Sequence, residues 1–372
     1  GMQGVRDVTD GSGIVKVLKS SDEYKENSRP FRRTVFTPDD WIKFRSSGRL
    51  FNNLGTMFTS GVIRGLWLEV GTVSLVALAV FITNNALAGS DLAALGLPED
   101  FRMVLPQIPF SLSSPALALL LVFRTNTVYA RWNEARTSWG KVESATCNLA
   151  RQGVSYLEEG LREEHVRRII ALAHIYRHHF QPCESEGETT LEKRLKELLG
   201  ADESDRLMRS KHRPTQAISD ITRVVRRCPI IDGSTKSRFD IHLDELGLAL
   251  VTCERLMKTP VPLVYTRHAG RFLALWVLLL PFALAGELHS NFLIVPIATL
   301  VAVFFFGIEE LGIQIEEPFS ILPLEDIVKC IDERLCQMVT FDVTVPDQEV
   351  GSDCSAIVQG AEADARAPAV QK

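Results

Sequence analysis

The stretch QIPFSLSSPALALLLVFRTNTVYARWNEAR, residues 107–136, opens as an apolar run, carries Pro109 and Pro115, and passes without a break signal into an arginine-dotted segment. From Leu105 to Phe123 it holds no charged residue. About 20 mostly apolar residues are enough to span a bilayer. Ile108, Leu112, Ala116 and then Leu119 or Leu120 fall on one helical face. The small residues Ser111, Ser113, Ser114, Ala116 and Ala118 permit close helix approach. Prolines in a membrane helix free backbone groups, which is tolerable where the helix borders protein or a water-filled cavity. If this helix lined a path, the path would have a narrow apolar neck and a basic mouth at Arg124 and Arg131, the pattern of a hydrophobic constriction favouring anions. A bundle helix with a leucine stripe gives the same periodicity, so the pattern alone leaves both readings standing.

The rest of the chain supplies the context. Its 372 residues are 46% hydrophobic yet 23% charged, and mean hydropathy is +0.07. That mixture points to apolar blocks separated by charged ones. A net charge of −5 lacks the basic excess of a nucleic-acid binder. The seven cysteines are dispersed with no C-x-x-C pair, which argues against a disulfide framework or a zinc site.

Four apolar blocks stand out, at about 62–83, 105–123, 272–285 and 292–308. The first two reach full membrane length, and flanking residues can extend the other two. Basic residues cluster before the first block, after the second and before the third, while the two short connections are acidic or nearly neutral. The positive-inside rule therefore puts both ends of the chain and the middle segment on one face. The middle segment reads as helical: Val166, Ile169, Ile170, Ala173 and Tyr176 recur at helical spacing, as do Leu191, Leu195 and Leu198 before Gly200. The "TPDDWIKFR" stretch at 37–45 predicts a short amphipathic helix, capped by Thr37 with Pro38 at its first position.

The expected organisation is an all-α membrane protein. Disordered ends occupy 1–28 and 346–372, and an N-terminal amphipathic segment 29–61. Two membrane helices fill 62–123, a helical body 124–268 and two more membrane helices 269–315. A C-terminal segment at 316–345 packs on the body.

Enzyme motifs are missing: there is no G-x-S-x-G, no phosphate-cradling glycine loop and no H-E-x-x-H. His174 and His178, at i and i+4 with His179 adjacent, suit a metal less well than an interhelical role, because no ligand set completes them. Glu309-Glu310 and Glu316-Glu317 stand where the fourth block leaves the membrane. Carboxylates there are functional candidates, although pairing with Arg or Lys of the neighbouring helical body is the simpler reading and the one preferred.

Three motifs in order carry a resemblance: "RRTVFTPDDWIKFRSSGRLF", "IPFSLSSPALALLLVFRTNTVYARWNEARTSWG" and "GIEELGIQIEEPFSILPLEDI". Over roughly residues 30–345 the chain resembles the bestrophin family, in particular its plant branch, the thylakoid voltage-dependent chloride channels. The resemblance implies a homopentamer with one ion path on the fivefold axis, four membrane helices per protomer, and a helical body and both termini on the stromal side. It places the neck at Ile108, Leu112 and Ala116. Pro109, Phe123, Arg124, Thr127 and Arg131 then line the path or its mouth, with Glu309 and Glu310 as gating or ion-pair carboxylates. Family necks often carry Phe at the latter two neck positions, so Leu112 and Ala116 imply a wider neck. A second constriction falls within 214–245, with Val225 as the guess. Animal relatives bind calcium after the fourth membrane helix, but "EEPFSILPLED" lacks their aspartate run, so calcium activation is not expected, nor any other cofactor or metal.

The resulting expectation is a passive channel for chloride, nitrate and similar monovalent anions in a lipid bilayer, with no nucleic-acid partner. A secondary transporter of small anions is the rival: proline interrupts three blocks, as in broken-helix transporters, but no repeat symmetry accompanies it. A membrane-anchored scaffold would need no neck at all.

Overall fold

The computed structural model describes residues 29–56, 61–88, 101–181, 187–289 and 291–344. The ends expected to be disordered, 1–28 and 346–372, lie outside these residues. Among the described residues all regular structure is helical. The helices are α1 (Pro38–Phe44), α2 (Arg49–Gly55), α3 (Gly61–Gly65), α4 (Trp67–Ala88), α5 (Ile108–Tyr156), α6 (Glu159–Phe180) and α7 (Gly187–Leu199). There follow α8 (Ala201–Met208), α9 (Arg213–Arg227), α10 (Gly233–Lys258), α11 (Leu263–Glu287), α12 (Ile294–Glu316) and α13 (Leu324–Thr344). Four of them, α4, α5, α11 and α12, are long and apolar enough to cross a membrane. At α1 the capping box forms as its sequence predicts: Thr37 Oγ1 accepts from Asp40 N at 3.3 Å, and Asp40 Oδ2 accepts from Thr37 N at 3.1 Å.

The chain forms two compact units, Gly1–Gly140 with Ala249–Asp326 and Lys141–Leu248 with Ile327–Lys372. Charge ends the apolar run at Arg124 but not the helix. α5 continues for 49 residues, about 74 Å at 1.5 Å per residue. Pro115 does not break it: the carbonyl of Ser111, deprived of its amide, accepts from Ser114 Oγ at 3.3 Å. Pro109 sits where the amide would have no helical acceptor anyway.

In the first unit, Val73, Ala77 and Val80 of α4, Leu117 and Leu121 of α5, Leu273 and Val277 of α11, and Ile294, Ala298 and Ala302 of α12 form the core. Alanines at every fourth position of α12 let α4 approach closely enough for Ser74 Oγ and Thr299 Oγ1 to meet at 2.7 Å.

In the second unit, α6 buries the stripe Val166, Ile169, Ile170, Ala173 and Tyr176, and the Tyr176 hydroxyl donates to Leu246 O at 3.0 Å. His165 is sealed among Leu149, Gly153 and Phe239. Burial pushes its pKa down to about 4, so the ring is neutral. His174 Nε2 lies 2.8 Å from Asp332 Oδ2, which Arg194 also reaches at 3.1 Å, so this histidine joins α6 to α13. Burial pushes the Glu164 and Glu203 carboxyls up. Their arginine neighbours, Arg168 for both with Arg227 on Glu164 and Arg206 on Glu203, outweigh burial and hold both below the ordinary value.

Candidate functional site

α5 has two faces. Leu117, Leu121, Arg124 and Val128 are buried. On the other side Ile108 (68% exposed), Leu112 (75%), Leu119 (55%) and Phe123 (56%) form an apolar stripe left uncovered by the described residues, and Ala116 and Thr127 are exposed with them. The Thr127 hydroxyl donates back to Phe123 O at 2.8 Å, so the stripe offers little polarity.

The start of this helix is fixed by contacts that its own sequence does not announce. Asn84, 1% exposed near the end of α4, holds the incoming irregular segment at Met103. Its Oδ1 accepts from Met103 N at 2.7 Å and its Nδ2 donates to Met103 O at 3.3 Å. Leu105 N donates to Phe282 O of α11 at 3.1 Å. One turn further, Trp276 Nε1 donates to Ser113 Oγ at 3.1 Å, and its ring packs on Phe110. Beside these residues lies an apolar pocket of about 340 Å³ lined by Pro109, Phe110, Ser113, Phe272, Trp276 and Leu279 among others. Pro109 therefore faces this pocket beside the exposed stripe.

Two residues expected at a basic mouth stand elsewhere. Arg124 is 5% exposed and ion-paired with Glu309 of α12. Gly270 and Gly312 pass beside the pair, where an added Cβ would lie 3.5 Å from Glu309 Oε1 and 3.7 Å from Arg124 Nε. A guanidinium neutralised inside the unit presents no free charge to an entrance. Arg131 donates to Leu256 O at 2.7 Å, to Thr259 O at 2.8 Å and to Glu316 O at 3.4 Å. It ties α5 to the ends of α10 and α12 instead of lining a mouth, because C-terminal carbonyls attract a cation. Glu310 is buried and accepts from Gln314 Nε2 at 2.7 Å, one turn along the same helix.

Val225 does not line a path either. It is 4% exposed, on the buried face of α9 with Ala217, Ile221 and Val224. In the same stretch Ile230 is 72% exposed, in the turn between α9 and α10. Nothing in "CPIID" separates Ile230 from Ile231 by type, yet Ile231 is 8% exposed. Asn84 was equally hidden, since a polar residue at the end of an apolar block reads as its terminus.

After the fourth membrane helix the acidic turn is held by arginines. Arg29 Nη1 donates to Glu317 Oε2 at 2.9 Å and to Ser320 Oγ at 2.8 Å, and Arg33 Nε donates to Ser320 O at 2.9 Å.

Comparison with known proteins agrees with this architecture. A family model described as Bacterial/Fungal Bestrophin protein matches residues 40–337. The chain is 33% identical over 349 residues to a protein named voltage-dependent chloride channel 2, chloroplastic, of Arabidopsis thaliana, across 91% of this chain and 80% of that one. It is 32% identical over 327 residues to voltage-dependent chloride channel 1, chloroplastic, of the same plant, across 87% and 78%. A crystal structure of a mutated bacterial bestrophin homolog from Klebsiella pneumoniae superposes with a TM-score of 0.65 at 26% identity, covering 75% of this chain and 99% of that one. With this family model spanning most of its length, the chain belongs to the bestrophin family.

Proposed function

We propose that this chain is a passive, voltage-dependent channel for chloride, nitrate and similar monovalent anions, working as a homopentamer in the thylakoid membrane with both termini on the stromal side. The observation that carries this reading is the apolar stripe Ile108–Leu112–Ala116–Leu119–Phe123, exposed on a helix whose opposite face is fully packed. Five such stripes about an axis would enclose an apolar neck. Such a neck cannot replace a hydration shell, so it passes best the anions that dehydrate easily, and nitrate should permeate at least as well as chloride. The exposed Ile230 supplies the second constriction in place of Val225, with the exposed Arg226 close by to favour anions.

The Arg124–Glu309 pair bears on voltage. One charge crossing 100 mV exchanges about 2.3 kcal/mol, but a paired arginine and carboxylate moving together carry no net charge. Voltage acts on this pair only by separating α5 from α12. Calcium has no role in this reading, since Arg29 and Arg33 supply positive charge to the turn after α12.

The test is single-channel recording of the purified chain in a planar bilayer under bi-ionic chloride and nitrate. Ohmic steps with nitrate at least as permeant as chloride support the reading. Slow saturating exchange without steps would show a transporter, and silence a scaffold.

A further inference from the structure

Within the second unit α6 and α9 pack against each other, and this brings together two histidines that the sequence leaves far apart. His179 stands half-buried in the last turn of α6, and His212 is the N-cap of α9. Their ring centroids are 5.5 Å apart with an interplanar angle of 63°. A ring nitrogen of one lies within 4.8 Å of a ring nitrogen of the other. Both rings are braced. His179 meets the buried Phe180 ring edge-on, with centroids 5.0 Å apart at 80°. His212 Nδ1 lies 2.7 Å from Thr215 Oγ1 and accepts from Thr215 N at 3.4 Å. An imidazole held at Nδ1 presents Nε2 to a ligand on the other side of its ring.

We propose that His179 and His212 form a two-histidine site for a divalent cation of the zinc class, a clip between the end of α6 and the start of α9. Neutral imidazoles suit Zn²⁺, Ni²⁺ and Cu²⁺, whereas Ca²⁺ and Mg²⁺ take oxygen ligands. Zinc–nitrogen bonds of about 2.0–2.1 Å in a tetrahedral shell put two ligand nitrogens roughly 3.3–3.4 Å apart. From 4.8 Å or less, a ring movement of about 1.5 Å at most reaches that spacing. Water fills the remaining positions of the shell. With the cation on Nε2 of His212, the ring proton sits on Nδ1 and is donated to the Thr215 hydroxyl oxygen, the kind of outer partner that orients a ligating histidine. This replaces the expectation that no metal binds, which rested on the histidines of α6 alone. The site stands whether or not α5 lines an ion path.

The full chain, purified in detergent without a polyhistidine tag, is titrated with Zn²⁺ by isothermal calorimetry. A Zn²⁺ site lost in both His179→Gln and His212→Asn and kept in His242→Gln is expected. Asparagine is a good N-cap, so α9 keeps its start in His212→Asn. In the wild type, Zn²⁺ should also protect both His179 and His212 from diethyl pyrocarbonate, read by peptide mass spectrometry, while His242 labels as before. That footprint needs no substitution and decides the matter if a variant fails to fold. A titration unchanged in either variant, labelling of either histidine unaffected by Zn²⁺, or equal protection by Ca²⁺ overturns the proposal.

Discussion

Arg124 of α5 and Glu309 of α12 form an ion pair inside the membrane unit, with side-chain exposures of 6% and 14%. Removing one member of a buried pair leaves an uncompensated charge and costs about 3–5 kcal/mol, whereas replacing both by apolar side chains costs far less. Arg124→Gln and Glu309→Gln should each lower the unfolding temperature of the detergent-solubilised chain strongly. Arg124→Met combined with Glu309→Leu should recover most of that loss. Single variants that melt like the wild type would show that the pair contributes nothing.

Gly153 exists for His165. A Cβ at this position would come within 2.3 Å of His165 Cδ2, a separation that a buried ring cannot relieve by a small shift. Gly153→Ala is expected to destabilise the second unit by about 2–4 kcal/mol, in the range of overpacked and broken cores. Unchanged urea unfolding of this variant would contradict the placement of the ring.

The same histidine makes stability depend on acid. Folding lowers its pKa from 6.5 to about 4. The unfolded chain therefore takes up a proton that the folded chain refuses, so the stabilisation is complete above pH 6.5 and is lost as pH falls toward 4. A shift of this size amounts to ~3 kcal/mol. Glu164 and Glu203, held below their ordinary value of 4.5, add a loss only at still lower pH. Unfolding free energy measured from pH 7.5 to 4.5 should fall, and His165→Leu should flatten the profile over that window. An equally steep profile in the variant would assign the dependence to other groups.

What was legible in the sequence was whatever repeats along one element. The four apolar helices, the α6 stripe and the Thr37–Asp40 cap follow from periodicity and local hydrogen bonding, and the structure shows them. What was hidden depended on the other side of a contact. Arg124 looks like a charge at a membrane edge until Glu309, 185 residues away, neutralises it. Arg131 looks the same until the carbonyls of Leu256 and Thr259 claim it. Val225 and Ile230 are both apolar and five positions apart, and only the packing of α9 decides that the first is core and the second surface.

Asn84 fixes the segment that leads into α5 through two hydrogen bonds to Met103. Asn84→Leu leaves both Met103 groups without that partner, at about 1–3 kcal/mol. Because the helix start then moves more freely, open-channel current noise should rise while the chain still assembles. Noise equal to that of the wild type would place the control of the neck elsewhere.

Ala116 is the small position of the stripe, and Ala116→Phe should narrow the neck. Unitary chloride conductance is expected to fall several-fold with assembly unchanged, as size-exclusion chromatography would verify. Unaltered conductance would remove Ala116 from the path.

Which face of α5 meets the ions is tested directly by marking both. Leu112 is 75% exposed on the stripe and Leu117 is 0% exposed in the core of the same helix. Leu112→Cys and Leu117→Cys channels would be treated during recording with a membrane-impermeant, negatively charged methanethiosulfonate, with the wild type as the control for native cysteines. Rapid irreversible block of Leu112→Cys, with Leu117→Cys and the wild type unaffected, is the expected result. Block of Leu117→Cys with Leu112→Cys insensitive would put the path on the other face of the helix and contradict the account.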